Sequence, residues 1–328
     1  MKAFRQVASA VLTLGLTLQV GCNAHSDEQV YYLIASNVSV PYWQAAVSGF
    51  NKAAAQYKVT AKVAGPNSYD PVEELDALQQ AVRAKPAGIL ISVADVATLE
   101  RQINSAVQQG IPVITIDSDA YITRRLFFIG TNNEEAGRMG AGRLIDKMNG
   151  KGNVAFFTLP GQSNTEERLA GFRDALRLQP GIKIVETVDD KGDPRVAFDN
   201  AQRLLQLTGP KKIDAFVCLE ATAGKGVADA IGRGGVHDRV VIAWDADPAT
   251  LDAIKKGTIE ATVAQKPYTM GFVGLKMLYD ITHAPPSQLN KDFKSDFFSP
   301  VPVFVDTGTT VVDGSNVDLY LSAASVNK

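Results

Sequence analysis

Short apolar runs alternate with longer amphipathic segments along most of the chain. The first run, residues 30–35, reads VYYLIA, and a continuous apolar run of this length is typical of a strand buried on both faces. Pro41 then opens an amphipathic helix that extends to about Tyr57, with Trp43 and Phe50 on the same side as several alanines. The start of the sequence therefore predicts a buried strand followed by a helix.

The same alternation continues to about residue 283. Further strands are predicted over residues 59–63, 88–93, 112–116, 127–129, 154–158, 183–188, 215–219, 240–243 and 258–264. Further helices are predicted from the N-cap Asp70 onward and over residues 97–109, 134–148, 165–178, 195–207, 224–233, 248–256 and 269–283. Strands that alternate with helices of this length indicate βαβ units, and there are too many units for one small sheet. The predicted fold class is α/β, with two doubly wound domains on parallel sheets.

The N-terminal segment has the pattern of a secretory signal. Lys2 and Arg5 precede an uncharged stretch over residues 7–20, which is too short to span a membrane. The residues that end at Cys22 (LQVGC) resemble a bacterial lipobox, although Gln19 stands where an aliphatic residue is usual. The alternative is a plain signal peptide in which Cys22 is incidental. Either interpretation predicts a chain located in the periplasm or on the extracytoplasmic face of the membrane, and only the lipobox interpretation attaches it to the membrane, through a lipid at Cys22.

Composition narrows the class of protein. A length of 328 residues favours two domains, and 45% apolar with 21% charged residues is typical of a globular protein. The formal net charge of -2 gives no electrostatic reason to expect nucleic-acid binding. Two cysteines exclude a disulfide scaffold, and three histidines leave little room for a histidine-rich metal site. Cys218, within an apolar run, is expected to be a buried, inert thiol.

Enzyme motifs are weak in this sequence. The segment around Lys225 lacks the earlier glycine and the Ser/Thr of a phosphate-binding P-loop, and no HExxH or GxSxG occurs. Residues 137–142 have GxxGxG order but lie in a predicted helix, where small residues for close helix packing explain them better. We therefore expect neither a cofactor nor catalysis, and a glycosidase carboxylate pair is the remaining enzyme alternative.

The residues that directly follow each strand are the candidate ligand contacts, because ligands of parallel sheets bind beyond the carboxyl ends of the strands. These residues are 36–43, 117–119, 131–133, 160–168, 190–193, Glu220, 244–245 and Gln265. Together they are rich in carboxylates, amides and aromatic rings, with one arginine. Carboxylates and arginine bracket hydroxyl groups, and aromatic faces cover the apolar face of a sugar ring. The set therefore points to a polyhydroxylated ligand.

Six segments also carry a family resemblance. In chain order they are VYYLIASNVSVPYW, PVITIDSD, FFIGTNNEEAGRMGA, SNTEERLAGF, VVIAWDADP and ATVAQKP. With the preceding signal sequence they resemble the ribose/galactose-type periplasmic binding proteins of bacterial ABC importers, from about residue 30 to 308. This resemblance implies two Rossmann-like domains joined by three hinge strands that close on a sugar. It also implies an ABC permease as partner and a monomeric chain.

The resemblance assigns roles to individual positions. Tyr42 and Trp43 match the paired aromatic residues that stack on the sugar. The polar ligand contacts of the ribose-type members match Asp117, Arg168, Asp245 and Gln265. Glu220 stands where those members have Asn, Ser118 where they have Arg, and Val40 where they have Asn, so ribose itself is not implied. The full predicted site is Tyr42, Trp43, Asp117, Ser118, Asp119, Asn132, Arg168, Glu220, Asp245 and Gln265.

The resemblance also implies the domain boundaries. A signal segment over 1–22 and a linker over 23–29 precede the N-terminal lobe, which comprises 30–131 and 266–304. The C-terminal lobe comprises 132–265 and 305–328. The three hinge crossings are expected near 131–133, 264–266 and 303–307.

Each candidate has a simpler alternative role. Tyr42 and Trp43 are also compatible with core packing, the aspartates with helix capping, and Arg168 with a solvated helix face. The excess of carboxylates over arginine predicts a neutral sugar or cyclic polyol first, an amino sugar second and an anion last, because unpaired buried charge is costly. The expected function is an extracytoplasmic solute-binding protein of an ABC importer. The alternative is a receptor that presents a sugar or signal molecule to a chemoreceptor or sensor kinase.

Overall fold

A computed structural model describes residues 29–326 of the chain. The predicted signal segment, most of the linker and the lipobox at Cys22 lie outside the described residues. The strands are β1 Val30–Ile34, β2 Thr60–Ala64, β3 Gly88–Ile91, β4 Val113–Ile116, β5 Phe128–Gly130, β6 Gly152–Thr158, β7 Ile182–Asp189, β8 Ala215–Cys218, β9 Val240–Trp244, β10 Ala261–Ala264, β11 Phe304–Asp306 and β12 Thr310–Asp313. The helices are α1 Pro41–Tyr57, α2 Pro71–Arg83, α3 Val96–Gln108, α4 Asn133–Met148, α5 Ser163–Leu176, α6 Pro194–Leu205, α7 Ala223–Arg233, α8 Pro248–Lys255, α9 Pro267–His283 and α10 Val317–Val326, with a short 3-10 helix at Gly209–Lys211.

The strands form two sheets of six, which confirms the predicted α/β fold class. The first sheet has the order β11-β5-β4-β3-β1-β2 and all its neighbours are parallel. The second has the order β12-β10-β9-β8-β6-β7, with only β12 antiparallel. Strands β3, β4 and β8 are buried along their whole length, as expected where helices cover both faces.

Each sheet and its covering helices form one lobe. Helices α1 and α9 pack together on the first sheet, and α4 and α5 pack together on the second. Backbones approach closely in the second pair, since a Cβ on Gly137 would lie 2.3 Å from the carbonyl oxygen of Arg168. A Cβ on Gly140 would lie 2.7 Å from the Phe172 ring, whereas one on Gly142 would meet nothing within 4 Å. The predicted packing role of this glycine pattern is confirmed at Gly137 and Gly140, and is wrong at Gly142.

The chain passes between the sheets three times. The crossings follow Gly130, follow Ala264, and lie between Asp306 and Thr310. The third crossing comes later than the boundary drawn at residue 304, because Phe304, Val305 and Asp306 pair with β5 in the first sheet. The loops of both lobes that follow the carboxyl ends of the strands face each other across a cleft beside these crossings.

Candidate functional site

A small cavity lies between the two lobes, at the carboxyl ends of both sheets. Its volume is about 60 Å³, which at roughly 10–15 Å³ per water is room for about four to six water molecules and is too small for an oligosaccharide. Seven of the ten predicted site residues line it: Tyr42, Trp43, Asp117, Arg168, Glu220, Asp245 and Gln265. The rule that ligand contacts directly follow the strands thus selected residues from both lobes that line the same cavity.

The aromatic wall belongs to the first turn of α1. Pro41 occupies the first helical position, and the rings of Tyr42 and Trp43 meet edge to face at 5.3 Å and 85°. Both residues are nearly buried and pack in the apolar core of the first lobe while also lining the cavity. The Tyr42 hydroxyl donates a hydrogen bond of 2.8 Å to Asp117 Oδ1. Core packing and a role in the site are therefore compatible for this pair.

Asp117 and Asp245 occupy equivalent positions in the two lobes. Asp117 directly follows β4, and Asp245 directly follows β9. Both residues have a φ of 64°, a backbone conformation that costs energy in non-glycine residues and is common at functional sites. Asp117 accepts hydrogen bonds from Tyr42 and from Asn164 Nδ2 at 3.0 Å. Asp245 accepts one of 2.9 Å from Gln265 Nε2. Burial raises the pKa of Asp117, and it raises the pKa of Asp245 to about 7.

Arg168 lies at the centre of the cavity wall and is only 2% exposed. Its Nε donates to Asn133 Oδ1 at 3.0 Å and its Nη1 donates to the Leu219 carbonyl at 2.8 Å. The guanidinium lies over the Trp244 ring at 4.7 Å. Its Nη2 is buried, has no hydrogen-bond partner and lies 3.8 Å from Asp117 Oδ1. The guanidinium is thus fixed in position with one donor left for a ligand, and a solvated helix face is excluded.

Glu220 forms the wall on the side of α7. Its carboxylate accepts hydrogen bonds from the Thr222 amide at 2.7 Å, from the Thr222 hydroxyl at 2.8 Å, and from the Ala223 amide. These amides belong to the start of α7, where the helix dipole favours negative charge. Burial nevertheless raises the pKa of Glu220. The carboxylate therefore caps a helix and lines the cavity at the same time.

Three predicted residues lie outside the cavity wall. Asp119 is paired with Arg125, whose Nε and Nη2 donate to it at 2.7 and 2.5 Å. The Ser118 hydroxyl lies 3.2 Å from that of Ser163, and Asn132 caps α4 by accepting from the Glu135 amide at 3.1 Å. Of the three residues in the turn after β4, only Asp117 lines the cavity, while Ser118 contacts Ser163 of the other lobe and Asp119 turns to Arg125.

Several lining residues were not singled out from the sequence. Asn164 and Gln162 lie within the post-strand segment 160–168, so their position carried a signal, but no family motif distinguished them. Tyr69 precedes α2 and is remote from the end of β2. The Tyr69 side chain nevertheless lines the cavity, and its hydroxyl donates to the Ala94 carbonyl at 2.5 Å. It also lies close to the other lobe, since a Cβ added to Gly192 would be 3.1 Å from the Tyr69 Cβ.

Direct hydrogen bonds join the two lobes at the cleft. The Ser163 hydroxyl donates to the Asp119 carbonyl at 2.8 Å and accepts from the Asp119 amide at 2.9 Å. The bond from Asn164 to Asp117 also crosses the cleft. Within residues 29–326 no cluster of three potential metal ligands occurs, and no helix is both long and apolar enough to cross a membrane.

Cys218 is buried in the core of the second lobe as a free thiol, as expected. Burial raises its pKa well above the ordinary value, and the nearby carboxylates of Glu220 and Asp190 act in the same direction. The neutral thiol is therefore the stable form.

Comparison with known proteins agrees with this architecture. The periplasmic binding protein domain family matches residues 31–284. The ribose import binding protein of Bacillus subtilis is 28% identical over 301 residues, covering 87% of this chain and 95% of that protein. A crystal structure of a sugar ABC transporter sugar-binding protein from Bacillus halodurans is 34% identical, with a TM-score of 0.77 and coverage of 89% and 100%. A carbohydrate transporter solute-binding protein from Agrobacterium radiobacter, in complex with D-arabinose, is 28% identical, with a TM-score of 0.81 and coverage of 91% and 99%. The chain therefore belongs to the periplasmic binding protein family and has the fold of its type I members, as the sequence resemblance predicted.

Proposed function

We propose that the chain is an extracytoplasmic solute-binding protein of an ABC importer that binds a monosaccharide or polyol between its lobes. The observation that carries this proposal is the cavity wall itself. It combines an aromatic face, Trp43, with buried carboxylates and with a guanidinium group, Arg168 Nη2, that has no hydrogen-bond partner among the described residues. The names of similar proteins specify ribose, D-allose and D-arabinose, which supports a monosaccharide as the ligand.

The contacts match the chemistry of a hydroxylated ring. Each ligand hydroxyl can donate to Asp117 or Asp245 and accept from Arg168, and charge-assisted bonds of this kind contribute about 1.5–3 kcal/mol each. The apolar face of the ring lies against Trp43. Because these groups come from both lobes, a bound ligand stabilises the closed arrangement, and we propose that hinge motion at the three crossings opens it.

No reaction step is part of this function. Proteins similar to this chain bind and transport sugars, which supports a binding role over the glycosidase alternative.

We further propose that the chain is a monomer, that a lipid on Cys22 attaches it to the membrane, and that it delivers its ligand to a permease. Mass spectrometry of the native protein tests the anchor: a mature N-terminus after residue 22 contradicts it, and loss of membrane partitioning in Cys22→Ala supports it.

Thermal-shift screening against pentoses, hexoses and polyols, followed by calorimetry, tests the ligand class. We expect at least one member to bind with a stoichiometry of one. Small-angle scattering then tests hinge motion, with a smaller radius of gyration expected at saturation than without ligand. If no sugar or polyol stabilises the folded protein, the proposed ligand class is wrong, and identical scattering curves contradict hinge closure.

A further inference from the structure

The charges around the cavity are strongly unbalanced. Three carboxylates line it, from Asp117, Glu220 and Asp245, against one basic side chain, Arg168. Asp119, which the sequence placed in the same site, is already neutralised by Arg125. The excess of negative charge therefore comes from the residues that line the cavity.

A fourth carboxylate, that of Asp190, lies close to Glu220 but does not line the cavity. Asp190 is fully buried, its Oδ1 accepts the Gly192 amide at 2.9 Å, and its Oδ2 has no hydrogen-bond partner. Burial raises the pKa of Asp190 well above its ordinary value, and the nearby charge of Glu220 is the next largest cause and acts in the same direction. Two buried carboxylates are thus neighbours, and an unpaired buried charge is unfavourable unless a cation or a proton neutralises it.

The cations near this pair do not form ion pairs with it. Arg168 donates to Asn133 and Leu219 and lies 3.8 Å from Asp117, and its charge lowers the pKa of Glu220 by less than burial raises it. Lys191, whose charge lowers the pKa of Asp190, is paired with Asp189, while Arg195 and Lys225 at the mouth of the cleft are paired with Asp193 and Asp229. Among the described residues no ion pair neutralises Asp190 or Glu220, so a positive group on the ligand would stabilise both carboxylates.

A metal ion does not fit this role. Among the described residues no three His, Cys, Asp or Glu side chains come together, so a divalent cation would find at most two carboxylate ligands here. An ammonium group needs only one or two carboxylates and donates in three directions. On the basis of the proposed function, we infer that the ligand is an amine-bearing sugar or polyol whose ammonium group binds at Glu220, in front of Asp190, while its hydroxyls contact Arg168 and Asp117.

The test compares each amine with its own hydroxyl parent. Hexoses and acyclic polyols that carry one primary amine at different positions are titrated by calorimetry at pH 7 beside the parent compounds. We expect at least one amine to bind about tenfold or more tighter than its parent, the scale of one charge-assisted hydrogen bond. Glu220→Gln, which keeps an oxygen for the α7 amides, should abolish that preference.

The matched control is Asp174→Asn, which removes an exposed carboxylate of α5 that is paired with Arg177 and does not line the cavity. Because exposed charges are screened, it should leave the amine preference unchanged. A thermal unfolding curve for each variant confirms folding, and Asp190→Asn provides a second variant should Glu220→Gln fail to fold. If parents bind and no amine binds more tightly than its parent, the inference is wrong and the proposed function stands. If neither parents nor amines bind, both are wrong.

Discussion

The hydroxyl of Ser163 offers a way to perturb lobe closure without touching the ligand. Ser163 is the first residue of α5 in the second lobe and does not line the cavity. It bonds to both the amide and the carbonyl of Asp119 in the first lobe, at 2.9 and 2.8 Å. Ser163→Ala removes both bonds, together with the longer 3.2 Å contact to the Ser118 hydroxyl, and leaves the residues that line the cavity unchanged.

The expected size of the effect follows from these two bonds. A neutral hydrogen bond contributes about 0.5–1.5 kcal/mol net, because the open lobes regain bonds to water. Loss of both therefore shifts the closing equilibrium by about 1–3 kcal/mol, which corresponds to roughly fivefold to 150-fold weaker apparent affinity. Since encounter with the open protein is unaffected, most of the change should appear as faster dissociation.

Stopped-flow dissociation of the tightest ligand from the sugar screen measures this effect. The control is Ser68→Ala, which removes an exposed hydroxyl from the mouth of the same cleft and should leave the dissociation rate unchanged. A folded Ser163→Ala protein with wild-type affinity and dissociation rate would refute the idea that this contact stabilises the closed form.

Two further predictions concern the cavity wall. Trp43→Ala should weaken binding by about 2–4 kcal/mol, as for a buried aromatic anchor, and calorimetry giving unchanged affinity in a folded variant would contradict ring stacking. Burial raises the pKa of Asp245 to about 7 in the folded protein, above its ordinary value, so the folded state binds more protons than the unfolded state between about pH 4 and 7. The free energy of unfolding without ligand should therefore fall as the pH rises through this range, and Asp245→Asn should reduce that fall in urea denaturation; an equally steep fall in the variant would contradict it.

The fold was predictable because its signals are local. Continuous apolar runs such as that at β1 are typical of strands with both faces covered, and Asp70 and Pro71 mark the start of α2 in the sequence itself. The strand predicted from residue 258 begins at Ala261, since a turn after α8 occupies the positions before it. Strand β12 and helix α10 were not predicted, and β11 was expected only as a hinge strand near 303–307 that the family resemblance implies. The half-exposed β11 is a strand only because β5 lies beside it, and only long-range pairing reveals this.

The site was predictable where position after a strand determines direction. Asp117 and Asp245 follow parallel strands in equivalent turns, so both face the cleft. Asp119 was misplaced because the sequence does not show that Arg125, six residues later, folds back to pair with it. Asp190 appeared only as part of a post-strand segment, and its unpartnered oxygen beside Glu220 depends on how two loops of the second lobe pack together.

The central claim is that a single sugar-sized ligand binds between the lobes, and intrinsic tryptophan fluorescence tests it most directly. The chain has two tryptophans, and both lie at the cavity: Trp43 lines it and Trp244 lies beneath Arg168. Titration with neutral and amine-bearing monosaccharides and polyols should give a saturable fluorescence change with at least one of them, at one ligand per chain, and the change should diminish in Trp43→Phe. The claim would be contradicted if no member changed the fluorescence of the folded protein, or if a uronic acid or sugar phosphate outcompeted every neutral and amine-bearing compound.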